Sequence, residues 1–182
     1  MKIDHIEAAI LVGGGSERTD ASRAEGQPVP LVQQVADGLG ACVRQVRLVI
    51  RPGDEPPLDL PCIENSGRHR APIEGIHAAL RACGSAAVMI ARWDLPQIDP
   101  RLILALLALV PAEGGFDIVA PQLSGRFEPL FAVYRPRILS EIEARIAAGA
   151  LGLQELLGAV DTLGVPEAEL RRIDPDLRCL QY

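Results

Sequence analysis

Lysine is almost missing from this chain. Lys2 is the only one, so fixed positive charge rests on arginine. A P-loop needs Gly-Lys-Ser or Gly-Lys-Thr after its glycines, and that motif is excluded. Aromatic side chains are scarce as well: one tryptophan, two tyrosines and three phenylalanines. The core must therefore be filled by Leu, Ile, Val and Ala. The four cysteines, at 42, 62, 83 and 179, form no Cys-x-x-Cys pair, which argues against a zinc knuckle and a disulfide scaffold and fits thiols in a reducing cytosol. His5, His69 and His77 have no metal-ligand spacing. No apolar run reaches membrane-spanning length, the longest being Leu102 to Val110. The first residues, Met-Lys-Ile-Asp-His, carry no apolar segment of signal type. A cytoplasmic protein with no membrane contact is expected. With a net charge of −6 and no basic run, nucleic acid is not an expected partner.

What is present is an α/β pattern. At 182 residues and 48% hydrophobic content, the chain is expected to form one domain over 1–182. Its organising stretch is 6–23. Ile6 to Val12 is an apolar run of strand length, as in a strand buried on both faces. It runs directly into Gly13, Gly14 and Gly15, with Ser16, Arg18 and Arg23 behind them. Glycines after a buried strand let the backbone approach a ligand that a Cβ would hold off, and let successive N–H groups face one anion. The dinucleotide fingerprint is excluded, because its third glycine position is Arg18. On these residues alone, a phosphate cradle and an ordinary glycine-rich turn both fit.

The remaining pattern alternates. A helix follows Pro30, with Leu31, Val35 and Leu39 at four-residue spacing; strands are expected at Val46–Ile50 and near Cys62–Ile63. Pro72 opens a second helix, Ala86–Ala91 is a strongly apolar strand, and Asp99-Pro100 caps a third helix. Strands at Phe116–Pro121 and Pro129–Tyr134 are joined through Ser124-Gly125 and add an antiparallel strand at one side. Helices at 137–148 and 152–158, a strand near 160–163 and a last helix after Pro175 complete the reading. Alternation through the first 110 residues indicates βαβ crossovers and a three-layer, mainly parallel sheet with strand one central. Ligands in such sheets bind outside the carboxyl ends of the strands. The glycine loop and Asp94, in Trp93-Asp94-Leu95-Pro96, both fall there. Asp94 alone reads as a turn cap; beside a phosphate loop it becomes a candidate Mg²⁺ ligand, since Mg²⁺ takes one or two carboxylates plus substrate phosphates.

The spacing Leu11-x-Gly13-Gly14-x-Ser16-x-Arg18 resembles the signature of the sugar-phosphate and molybdenum-cofactor nucleotidyltransferases. Trp93-Asp94-Leu95-Pro96 is similar to their Cys-Asp-x-Pro strand end, and Ala71-Pro72-Ile73-Glu74-Gly75 to their Gly-Pro-Leu-x-Gly helix start. Pro129-Leu130-Phe131-Ala132-Val133-Tyr134-Arg135 looks most like the strand flanking the acceptor in the molybdenum cofactor guanylyltransferases. The resemblance implies a Rossmann-like nucleotidyltransferase fold. It implies transfer of GMP from MgGTP to molybdopterin, with release of pyrophosphate. Leu11, Val12, Gly13, Gly14, Gly15, Ser16, Arg51, Asn65, Pro72 and Gly75 would bind the nucleotide. Arg18, Arg23 and Asp94 would act on the phosphates, with Asp94 holding Mg²⁺. GTP and molybdopterin are the implied ligands, and molybdoenzymes or cofactor-delivery proteins the partners such an activity brings into contact.

The chain departs from the family pattern at several positions: the loop reads Thr19-Asp20 where the family has Met-Gly, the stretch from there to Pro30 is about two residues shorter, and the closing segment Arg172–Leu177 is one residue short. Four departures change a polar group at the expected site. The family's loop lysine is Arg23 and the neighbouring aspartate is Ser22; an asparagine after the second strand is Arg51, and a nucleotide-reading aspartate is Asn65. Arginine keeps the charge of lysine but prefers planar, bidentate contacts. Asparagine keeps one acceptor but adds a donor and loses the charge. Two alternatives stay open on these grounds: a cytidylyl or sugar-phosphate nucleotidyltransferase, and a non-catalytic relative that binds a nucleotide or cofactor.

Overall fold

The structure is a computed structural model that describes residues 3–13 and 30–180. One mixed sheet forms the middle layer. Its strands are β1 (Ile6–Leu11), β2 (Val46–Ile50), β3 (Cys62–Glu64), β4 (Ala87–Arg92), β5 (Ile118–Leu123), β6 (Arg126–Phe127), β7 (Phe131–Tyr134) and β8 (Thr162–Pro166). They lie in the order β3-β2-β1-β4-β7-β5-β6, with β8 paired to β5. The first four in that order are parallel. Ala8 of β1 faces Val46 of β2 on one side and Met89 of β4 on the other.

Alternation along the strands assigns the two faces. Ile6, Ala8 and Ile10 of β1, with Ala87, Met89 and Ala91 of β4, belong to one buried cluster. Helices α1 (Leu31–Cys42) and α3 (Pro100–Ala108) cover it. Ala9 and Leu11 of β1, with Val88 and Ile90 of β4, belong to the other. That face is covered by α2 (Pro72–Ala82), α4 (Leu139–Ala147) and α5 (Leu153–Ala159). The three-layer α/β reading is thus borne out, with β1 in the interior of the sheet. Among the described residues, no helix is long and apolar enough to cross a membrane.

The helix starts follow local chemistry. Pro30 precedes α1, and Pro72 opens α2 with its fixed φ and no N–H to leave unpaired. Asp99 caps α3 by accepting from the backbone N–H of Arg101 at 2.8 Å, and that arginine's side-chain hydrogen bond, outweighing burial, holds the Asp99 carboxyl below its ordinary range.

Two expectations are corrected. The strand ending at Tyr134 is not at one side of the sheet: β7 lies between β4 and β5, antiparallel to both. The Ser124-Gly125 turn instead joins β5 to the short β6, with Ser124 at φ 48° and Gly125 at φ 79°. Beyond Pro175, the described residues form only a 3-10 turn, Arg178–Leu180, and the short helix α6 (Glu167–Leu170) precedes it. The buried Asp174 carboxylate accepts from the N–H groups of Asp176 and Arg178, which bends the chain at the point where a helix was expected.

Candidate functional site

Because β1, β2, β3 and β4 are parallel, their carboxyl ends share one edge of the sheet. The register sets Leu11 against Val49 on one side and against Arg92 on the other. A cavity of about 350 Å³ opens there. Leu11, Val12, Gly13, Arg51, Asn65, Pro72, Gly75 and Asp94 all line it, so every described residue expected at the site is brought to one place. Gly14, Gly15, Ser16, Arg18 and Arg23 lie outside the described residues.

Helix α2 closes in on β1 through Gly75. A Cβ built on Gly75 would stand 3.1 Å from Leu11 Cδ2, so the absent side chain is what lets helix and strand approach so closely. Trp93 closes the other wall. Its backbone N–H donates to the Leu11 carbonyl at 3.3 Å, and its indole Nε1–H donates to the Gly13 carbonyl at 3.0 Å. The tryptophan thereby ties the end of β4 to the first glycine of the loop.

Between β3 and α2 the chain makes a compact turn held by Glu74. This carboxylate is buried, 1% exposed. It accepts from the Ser66 hydroxyl and from the His69 backbone N–H at 3.0 Å. Burial pushes its pKa up, but the Ser66 hydroxyl and the His69 and Arg68 backbone N–H groups, with the nearby His69 charge, outweigh that and hold it below its ordinary value. Asn65 Oδ1 accepts from the Gly67 N–H at 2.9 Å. That contact fixes the orientation of the amide, because only its oxygen can face a backbone N–H. Gly67 sits at φ 64°, and Arg70 at φ 54°. A left-handed arginine is strained, and here it lines the cavity.

The electrostatics are local. The whole chain is acidic, yet among the described residues the charged ones lining this cavity are Arg51, Arg70, Arg92 and Asp94. Arg92 and Asp94 form a fork: Nε to Oδ1 at 2.5 Å and Nη2 to Oδ2 at 2.7 Å. Their side chains are 32% and 27% exposed. Among the described residues, no three His, Cys, Asp or Glu side chains gather to hold a metal. Among the described residues, Asp94 is the one carboxylate that lines the cavity. The donor set fits Mg²⁺, which needs few protein carboxylates when phosphates supply the rest. Each carboxylate oxygen also retains a lone pair beyond the one Arg92 uses.

Arg92, Arg70, Trp93 and Gly67 were not among the expected site residues. For Arg92 a signal existed: it stands two residues before Asp94, and alternate positions at a strand end share a face. Arg70 carried no such signal, because its placement depends on the turn that Glu74 organises. The segment Pro129–Arg135 contributes only Leu130 to the cavity lining. Phe131–Tyr134 is buried, and the Tyr134 hydroxyl donates to the Pro129 carbonyl at 2.7 Å. Arg135 lies beyond the other end of β7, donating to the Phe116 and Pro111 carbonyls.

The sequence matches the model of the MobA-like NTP transferase domain over residues 8–163. It is 31% identical over 108 residues to the molybdenum cofactor guanylyltransferase of Desulfosudis oleivorans, a match spanning 59% of this chain and 52% of that relative. It is 26% identical to the probable molybdenum cofactor guanylyltransferase of Methanosarcina mazei, over 94% of this chain and 82% of the relative. Its structure is similar to that of molybdopterin-guanine dinucleotide biosynthesis protein A from Archaeoglobus fulgidus. There the TM-score is 0.76 and the identity 25%, over 96% of this chain and 90% of that one.

Proposed function

The chain belongs to the MobA-like NTP transferase family, and from that premise we propose that it transfers GMP from MgGTP to the terminal phosphate of molybdopterin. A phosphate oxygen of the acceptor attacks the α-phosphorus, the bond to the β-phosphate oxygen breaks, and pyrophosphate leaves. The relatives' names support the chemistry. The observation that carries the reading is the cavity itself: Gly13, three arginines and one aspartate at the carboxyl ends of the parallel strands.

In this reading the protein supplies position and charge, and forms no covalent intermediate. Gly13, with Gly14 and Gly15, would bring backbone N–H groups to the phosphates. Arg51 and Arg70 lie on the β2–β3–α2 side with Asn65, where the base and ribose would sit. Arg18 and Arg23 belong to the same proposal as phosphate cations, from the loop after Gly13. Asp94 would hold Mg²⁺, which supplies charge compensation between phosphates that otherwise repel.

One observation favours a second base. A carboxylate at position 65 could accept from the paired N–H donors of guanine. Asn65 has its oxygen engaged by Gly67 and leaves its amide nitrogen as the donor end. A donor suits the acceptor edge of cytosine, so CTP is the second reading. Thermal shift with GTP, CTP, ATP and UTP, with and without Mg²⁺, tests both. Stabilisation of the native state by bound nucleotide raises the melting temperature. The largest Mg²⁺-dependent rise with GTP supports the first reading, the largest with CTP the second, and no rise with any nucleotide contradicts both.

A further inference from the structure

The fork between Arg92 and Asp94 presents a conflict within the cavity wall. The carboxylate proposed to hold the metal is already neutralised, on both oxygens, by a guanidinium at hydrogen-bond distance. A divalent cation arriving alone would have to share those oxygens with a positive group, and the two cations repel at close range. The planar guanidinium fork matches phosphate oxygens as well as it matches a carboxylate. Both residues line the same cavity as Gly13, and Leu11 pairs with Arg92 in the sheet, so the end of β1 brings Gly13 beside the fork. The side chains are about one-third exposed or less, open enough to move and sheltered enough for their charges to matter.

We infer that Arg92 and the metal exchange places on Asp94. In the nucleotide-free protein Arg92 holds the carboxylate oriented and keeps a lone cation off it. When the metal arrives with a triphosphate, Asp94 turns to the metal and the Arg92 fork is satisfied by phosphate oxygens instead. Metal and nucleotide then favour each other's binding, because each takes one partner of the same ion pair. Arg92 is on this view a phosphate-binding residue, and a brake on metal binding in the absence of nucleotide. The inference rests on the proposed role of Asp94 as metal ligand.

The test separates the two. MnCl₂ alone is titrated, by calorimetry or by the loss of the free Mn²⁺ EPR signal, into the native protein, Arg92→Leu, Arg92→Lys and Asp94→Asn. Removing the guanidinium is expected to tighten Mn²⁺ binding by about tenfold or more. Arg92→Lys keeps the charge but cannot engage both oxygens, and should fall between the native protein and Arg92→Leu; it carries the comparison if the leucine variant does not fold. Asp94→Asn should abolish the binding. Affinity for GTP is then measured at saturating Mg²⁺, where Arg92→Leu should bind about fivefold or more weakly. Asp94-dependent Mn²⁺ binding that neither Arg92 variant tightens would overturn the exchange and leave Asp94 as a metal ligand. An Arg92→Leu protein that binds GTP as tightly as the native one would overturn the phosphate contact. Absence of Asp94-dependent Mn²⁺ binding in every protein would overturn both the exchange and the metal role of Asp94.

Discussion

The indole of Trp93 donates to the carbonyl of Gly13 at 3.0 Å, across the gap between the ends of β4 and β1. The two strand ends are thus tied at the mouth of the cavity. Trp93→Phe keeps the aromatic bulk and removes the donor. The expected loss is about 1 kcal/mol in stability, the net worth of one hydrogen bond. Nucleotide affinity should fall more than stability does, because the freed carbonyl belongs to Gly13, which is proposed to face the phosphates. Equilibrium denaturation and nucleotide titration of the same variant measure the two effects.

Glu74 gives the molecule an acid-sensitive turn. Its pKa is lowered in the folded state, so its stabilising contribution is fully present above its ordinary value of 4.5 and is lost as pH falls through the folded value. At pH 7, Glu74→Gln should cost about 1–3 kcal/mol, since the Ser66 hydroxyl and His69 N–H lose a charged acceptor. The gap between native and variant should narrow below pH 4.5. Denaturant unfolding at a series of pH values from neutral to acid checks the sign; a gap that widens in acid would contradict it.

Arg70 should separate stability from binding. Glycine is at ease at φ 54°, so Arg70→Gly relieves backbone strain and is expected to stabilise the fold by about 0.5–1 kcal/mol. The same change removes one of the cavity's cations and should weaken nucleotide binding. A higher melting temperature with poorer binding is the expected pair of results. Loss of both would mean that the arginine side chain, beyond its charge, holds the turn.

The layers of the fold were legible because the buried strands read as apolar runs and α1, α2 and α3 open beside proline or aspartate. Ala87–Ala91 is buried throughout, and so it carries no polar alternation to obscure it. The position of β7 was misread, although Phe131–Tyr134 is also buried at every residue and so has the pattern of an interior strand. Neighbouring in sequence suggests only the β5–β7 pairing, which does form, but β7 also inserts against β4. The end of the chain was misread for a different reason. Asp174 satisfies backbone N–H groups that would otherwise invite a helix, and its burial is set by tertiary packing that local sequence does not display. At the site, Asp94 and Gly13 were legible from their places at strand ends. The fork on Asp94 and the left-handed Arg70 depend on side-chain and turn geometry that composition does not encode.

Asp94 is the residue on which the proposed nucleotidyl transfer most directly depends. Pyrophosphate release is measured with GTP, and in parallel with CTP, in the presence of molybdopterin and with or without Mg²⁺, for the native protein and Asp94→Asn. The side chains are close in shape and Asp94 is partly exposed, so the variant should fold with stability within about 1 kcal/mol of the native protein. Release that requires Mg²⁺ and disappears in Asp94→Asn is the expected result. No release from the native protein with either nucleotide and the acceptor supplied, or release that Asp94→Asn leaves unchanged, would contradict the account.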